Sequence, residues 1–277
     1  MPHFTSGTEN ATQADIYYED YGTGDPIILI HGWPLSSAMW EYQVPELVAA
    51  GHRVVSYDRR GFGASSKPWG GYDYDSLTAD LDALIRKLDL RNITLVGFSM
   101  GGGEAVRYIG TYGQDRVKKL VLMSAITPYL VKTDDNPDGV PQEIFDGMFE
   151  QIATKRLPFL TGFTKNFFNY GTLGAHDVSE EDLYAAYQVG STASPRASLE
   201  CAKSFSSTDF RADLAKITVP TLIIHGDADK TVPYENSGKR VPALIAGSRL
   251  EVIQGAPHGL LATHLKEANQ LLLEFVA

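Results

Sequence analysis

The 277-residue chain reads as an α/β protein: a mostly parallel sheet, helices on both faces, and a helical insertion. Three observations predict this. Short continuous apolar runs such as "PIILI", "NITLV" and "TLIIHG" are what strands buried on both faces require. Helix-period segments alternate with those runs, so successive strands lie parallel. Between residues 127 and 208 the alternation stops, and the pattern there is helical with no convincing strand.

In chain order, "DIYYEDYG" (15–22) alternates as a strand does, and "PIILIHG" (26–32) is a buried strand. "SAMWEYQVPELVAAG" reads as a helix stopped by Gly51, and "RVVSYD" (53–58) as the next strand. Leu77, Leu81, Leu84, Ile85 and Leu88 fall on one helix face, with Asp75 or Ser76 as its N-cap. "NITLVGFS" is a strand, "MGGGEAVRYIGTYG" a helix and "VKKLVLMSA" a strand. In the insertion, Pro141 suits a first helical turn ahead of "QEIFDGMFEQIATK", and Ser179 caps "EEDLYAAYQ". The β/α pattern resumes with "VPTLIIHG" (219–226), a helix around 236–246 and "RLEVIQGA" (249–256). A last helix presents Leu261, Leu265, Ala268, Leu272 and Phe275. This divides the chain into a core, 1–126 with 209–277, and a helical cap, 127–208. Eight of the twelve Phe lie between 145 and 210, which suits an aromatic underside of the cap and equally a small core of its own.

Bulk properties narrow the function. With 24 basic and 34 acidic residues the net charge is −10, a surface that repels phosphate and argues against nucleic acid or an anionic membrane as partner. The single cysteine, Cys201, excludes an intrachain disulfide and reads as a small buried filler. "MPHFTSGTENATQ" has neither a basic nor an apolar leader region. No run approaches the roughly 20 apolar residues of a membrane helix, so a cytoplasmic protein is expected.

Ligands in such folds gather at the carboxyl ends of the strands. There the sequence places His31-Gly32-Trp33-Pro34, then Asp58, Ser99, Asp227 with Asp229, and finally His258. A serine hydroxyl becomes nucleophilic when an imidazole accepts its proton, and the imidazole needs a carboxylate to fix its tautomer. The oxyanion that forms needs donors already aimed at it. The backbone N–H groups of Met100, at a helix start, and Trp33 can supply them. Ser99 sits in "GFSMGG", a G-x-S-x-G turn between strand and helix, where side chains on Gly97 or Gly101 would clash. No HExxH-type spacing suggests a metal site, and no cofactor is expected. His3, His52, His176 and His264 fall in no motif and read as surface or core fillers, and His225 reads as a loop brace.

"HGWP", "DRRGFGAS", "GFSMGGGEAVRY", "HGDADKTVP" and "GAPHGLLATH" together resemble the α/β-hydrolase family, in its cofactor-free haloperoxidase, perhydrolase and aryl esterase branch. The resemblance runs over nearly the whole length. It implies an eight-stranded sheet, Ser99 as nucleophile, His258 as general base and Asp229 as the triad acid. Asp227 is the alternative acid, otherwise a carboxylate that stabilises the turn. It also implies that the Trp33 and Met100 N–H groups form the oxyanion hole, that His31 holds the oxyanion loop, and that Trp33, Ile126, Phe163, Phe167 and Phe205 line the pocket. Pro34 is expected in the substrate-binding lining too; either it reshapes the loop carrying the Trp33 donor, its position resembling the perhydrolase-rich members, or it simply stiffens that loop.

The expected activity is hydrolysis of small apolar esters, aryl or short-acyl, with lactones or small cyclic amides also admitted, through an acyl-enzyme. With peroxide in place of water the same cycle would yield a peracid able to oxidise halide, the cofactor-free haloperoxidase activity that the resemblance implies as a side reaction of an esterase site. A cofactor-free lyase or dioxygenase using the same triad, or a non-catalytic receptor on this scaffold, are the alternatives. Self-association into a homo-oligomer is expected from the resemblance.

Overall fold

In the computed structural model, which describes residues 2–6, 13–172 and 178–277, eight strands form one sheet. They are β1 (His3–Thr5), β2 (Asp15–Tyr21), β3 (Pro26–Ile30), β4 (Arg53–Tyr57), β5 (Ile93–Phe98), β6 (Val117–Met123), β7 (Thr221–Gly226) and β8 (Arg249–Ile253). The order across the sheet is β1-β2-β4-β3-β5-β6-β7-β8. β1 and β2 run antiparallel to their neighbours, and every other pairing is parallel. β1 went unread in the sequence because three residues carry no periodicity.

Alternation along the strands builds two cores. Ile28 and Ile30 of β3, Val55 and Tyr57 of β4 and Leu95 of β5 join α2 (Tyr74–Lys87) and α3 (Met100–Tyr112) on one face. Ile27, Leu29, Val54 and Val96 join α1 (Val44–Ala49) and the C-terminal helix on the other. Each fully buried Leu or Ile contributes about 1.5–3 kcal/mol of apolar transfer, so continuous apolar runs are the economical sequence for these strands.

Between β6 and β7 the described residues hold no strand of the sheet. They hold α4 (Gln142–Phe167), α5 (Glu180–Ser191), α6 (Pro195–Ser207) and the short α7 (Arg211–Leu214). Ser179 caps α5 in a full capping box with Asp182, as its sequence signature indicates. α4 is kinked where Lys155 leaves helical geometry (φ −142°, ψ 44°), ahead of Pro158 within the same helix.

Several boundaries differ from the sequence reading. The helix expected before Gly51 is a 3₁₀ turn, Ser37–Trp40, followed by α1, because Pro45 favours a new first turn. Asp73, rather than Asp75 or Ser76, caps α2 by accepting from the Ser76 N–H at 2.9 Å. The stretch near 236–246 forms two 3₁₀ helices, Tyr234–Asn236 and Gly238–Ala243, the second with Pro242 inside. The last helix is split at His264 into α8 (Leu260–Thr263) and α9 (Leu265–Val276), and Val276 is buried at the end of the apolar face. His176 lies outside the described residues.

Candidate active site

The site is built from strand ends. Ser99 follows β5 directly and precedes α3, with φ 52° and ψ −119°, a left-handed conformation that costs a non-glycine residue roughly 1–3 kcal/mol. The turn survives because its neighbours determine it. The Ser99 N–H donates to the Met123 carbonyl at 2.9 Å, and the Ser99 carbonyl accepts from Gly102 at 3.0 Å. A Cβ on Gly97 would strike the Gly101 carbonyl, and one on Gly101 would strike that of Ile30. The steric reading of these glycines therefore holds.

His258, in the turn after β8, places Nε2 3.0 Å from Ser99 Oγ and Nδ1 2.7 Å from Asp229 Oδ2. Asp229, in the turn after β7, receives the Thr231 and Val232 N–H groups on Oδ1 at 2.9 and 2.7 Å. Burial alone would raise its carboxyl pKa. The facing His258 and the hydrogen bonds from His225 and His258 together outweigh it, and the group lies well below the usual carboxylate range. All three side chains are buried, Ser99 at 5% exposure, Asp229 at 5% and His258 at 1%. The alternative acid, Asp227, points elsewhere: its Oδ1 accepts from the Gly255 N–H at 2.6 Å and braces the turn after β8.

The loop after β3 passes close to the elbow, and a Cβ on Gly32 would sit 3.1 Å from Ser99 Cβ. Among the described residues, no carbonyl or side chain accepts a hydrogen bond from the N–H of Trp33 or of Met100. His31 explains how the loop is held. Its Nε2 accepts from the Arg59 N–H at 2.9 Å, so Nδ1 carries the proton and donates to the Gly32 carbonyl at 2.9 Å. That carbonyl belongs to the peptide whose N–H is Trp33's, so His31 fixes the peptide's plane and polarises it. Burial, and then the Arg59 charge, hold the His31 pKa well below its ordinary value and keep the ring neutral.

Arg59 also donates to the His31 carbonyl at 2.8 Å and to Glu104 of α3 at 2.7 Å, and Tyr57 donates to the same Glu104. Burial opposes both charges. At Arg59 burial is outweighed only by the Glu104 carboxylate together with the other neighbours, and the guanidinium stays protonated, while at Glu104 burial dominates and raises the carboxyl pKa. This fully buried network ties the Trp33 loop to the helix that begins at Met100. In the sequence Arg59 and Glu104 carry only the signal of ordinary charged residues, so their partnership was not legible there.

A cavity of about 700 Å³ opens onto Ser99. Trp33, Ile126, Phe163 and Phe205 line it, together with Phe159, and Glu143 and Lys230 stand exposed at its margin. The Trp33 indole is met edge-on by Phe163 at 5.1 Å and Phe205 at 5.8 Å, and its Nε1 donates to the Ser198 carbonyl at 3.0 Å. Two residues expected in the lining are elsewhere. Phe167, one turn beyond Phe163, reaches past the cavity and packs its ring on the His258 imidazole at 5.0 Å. Pro34 faces Gly190 of α5, where a Cβ would approach its Cγ to 3.1 Å. Phe98 packs beside Phe167 against the same imidazole at 4.9 Å.

His225, at the end of β7, has a part the sequence did not suggest. Its Nε2 donates to the Val232 carbonyl at 2.9 Å and lies 3.4 Å from Asp229 Oδ2, so a second imidazole faces the carboxylate. Cys201 is buried in the core, and burial pushes its thiol pKa up to about 12, which suits an inert filler. No cluster of three or more His, Cys, Asp or Glu among the described residues is placed to hold a metal ion. No helix among them is long and apolar enough to cross a membrane.

A nucleophile elbow, a histidine and an acid at the ends of a parallel sheet define a hydrolase-fold enzyme. The chain belongs to the alpha/beta hydrolase fold family, whose model matches residues 25–265. It is 52% identical, over the whole of both chains, to a putative non-heme chloroperoxidase from a Synechocystis strain. It is 40% identical to a bifunctional esterase/perhydrolase from Acinetobacter calcoaceticus, covering 95% of this chain and 96% of the relative. A bromoperoxidase from Bacillus anthracis superposes with a TM-score of 0.93 at 51% identity, covering 99% of each chain. This enzyme thus stands among the non-heme haloperoxidases and perhydrolases of its family.

Proposed function

We propose that this enzyme is a serine hydrolase of small apolar carboxylic esters, aryl or short-acyl, acting through an acyl-enzyme on Ser99. Ser99 Oγ attacks the ester carbonyl as His258 Nε2 takes its proton; Asp229 holds the imidazole in the tautomer that leaves Nε2 free to accept. The oxyanion is received by the Trp33 and Met100 N–H groups, the latter at the positive end of α3. His258 returns the proton to the leaving alcohol, then activates water against the acyl-enzyme. Hydrogen peroxide in place of water gives a peracid, in keeping with the perhydrolase and chloroperoxidase names of the relatives. Segment 127–208, with α4 to α6, acts as the cap that supplies Phe159, Phe163 and Phe205 to the pocket.

One observation carries the reading: the unbroken line from Asp229 Oδ2 through His258 to Ser99 Oγ, at 2.7 and 3.0 Å, at the foot of an apolar cavity. Steady-state hydrolysis of p-nitrophenyl acetate tests it. Ser99→Ala is expected to lower kcat/KM by about 10⁴-fold or more, as loss of a triad serine does elsewhere. Equal rates from the two folded proteins, both above buffer, would remove Ser99 from the mechanism.

A further inference from the structure

The 3₁₀ turn Ser37–Trp40 carries Met39, whose Sδ accepts a hydrogen bond from the Gly32 N–H at 3.4 Å. Gly32 immediately precedes Trp33, so this sulfur anchors the loop that presents the Trp33 N–H. Among the described residues Met100 and Met123 are fully buried, whereas Met39 and Met148 are partly exposed. Met39 lines a second cavity, of about 230 Å³, with Leu35, Phe98, Phe167 and Leu261. Phe98 and Phe167 are the two rings that pack on His258, so this cavity lies directly behind them.

We propose that Met39 is a positioning residue for the oxyanion loop and the site at which a peroxyacid inactivates the enzyme. For its natural oxidant the proposal rests on the perhydrolysis reading above. The thioether lone pair attacks the terminal peroxide oxygen of the peroxyacid and the O–O bond breaks. The carboxylic acid leaves with the proton, so sulfur is oxidised by two electrons and the peroxyacid is reduced. The product does not fit the present geometry. An N–H···O bond alone spans about 2.9 Å, and the new sulfur–oxygen bond adds to that, so a 3.4 Å N···S separation cannot hold both in line. Oxygen added instead on the other lone pair leaves the sulfur electropositive and no longer an acceptor, so either product breaks the Gly32 anchor and releases the loop that presents the Trp33 N–H. The one thiol offers no competing target, because Cys201 is buried and un-ionised.

Peracetic acid is the probe, with sulfoxides mapped by peptide mass spectrometry and activity followed on p-nitrophenyl acetate and by fluorophosphonate labelling of Ser99. In the wild type, kcat is expected to fall about tenfold in step with Met39 sulfoxide, a fraction of the loss that removal of an oxyanion donor causes, with KM changing far less. Met39→Leu, close to it in volume, should start with kcat several-fold below wild type and KM unchanged, then resist the oxidant. Met148→Leu should inactivate as wild type does. The proposal is overturned if Met39→Leu matches wild-type kcat or inactivates in parallel with it. Activity lost while Met39 remains unmodified overturns it too, and that mapping needs no variant. Untreated wild type that reacts with neither ester nor fluorophosphonate overturns the hydrolase reading, and this proposal with it. Normal turnover combined with any of the adverse results overturns this proposal alone.

Discussion

Asp229→Asn probes the electrostatic half of the site without changing its shape. Asp229 Oδ1 is committed to two backbone donors, Thr231 and Val232, so the asparagine must keep its carbonyl oxygen there. Its NH₂ then takes the place of Oδ2, 2.7 Å from His258 Nδ1. A donor at that point makes Nδ1 the acceptor and puts the proton on Nε2, which then faces Ser99 Oγ at 3.0 Å as a donor. The histidine can no longer accept the serine proton. His225 Nε2–H, 3.4 Å away, aggravates the misfit, since it now meets another donor. The same tautomer error in a comparable triad costs about 10⁴-fold in kcat, or about 5 kcal/mol of transition-state stabilisation. Steady-state kinetics on p-nitrophenyl acetate, with circular dichroism to verify folding, give the answer. A folded Asp229→Asn enzyme within tenfold of wild type refutes the tautomer argument.

Three further outcomes follow from the packing. His31 is buried neutral while the unfolded chain protonates below about pH 6.5, so the unfolded state binds the extra proton and stability falls as pH drops, by up to about 1.4 kcal/mol per unit. Urea unfolding between about pH 5 and 7 should show this slope in wild type and a flatter one in His31→Gln; Asp229, whose pKa is depressed, adds its own loss only below about pH 4. Gly101→Ala drives a methyl into the Ile30 carbonyl, a backbone atom that cannot step aside, and should lower the urea midpoint and kcat together. Phe163→Ala removes an edge contact from the Trp33 indole and widens the cavity, so KM for p-nitrophenyl acetate should rise several-fold with kcat within about threefold.

What could be read from the sequence was what chemistry repeats along a chain. Apolar runs located β3, β5 and β7, because a strand covered on both faces admits few polar residues. Ser99 and His258 were legible as residues at strand ends that the sheet brings to one edge. The residues alone left Asp227 and Asp229 both open, and the family resemblance chose Asp229. Illegible were features set by distant packing. Phe159, Phe163 and Phe167 share a helical spacing, yet the last turn of α4 delivers Phe167 to the imidazole instead of the cavity. Arg59 and Glu104 are 45 residues apart and reveal their pairing only when β4 and α3 are packed. Met39 gave no signal at all, since a sulfur acceptor has no sequence signature.

The acyl-enzyme is the centre of the account, and rapid-quench mass spectrometry reads it directly. On mixing with p-nitrophenyl acetate, the wild type should release a burst of about one nitrophenol per active site while one acetyl group appears on the peptide carrying Ser99. Acetyl found on any other residue, or turnover that proceeds with no acetylated protein at any time, contradicts it.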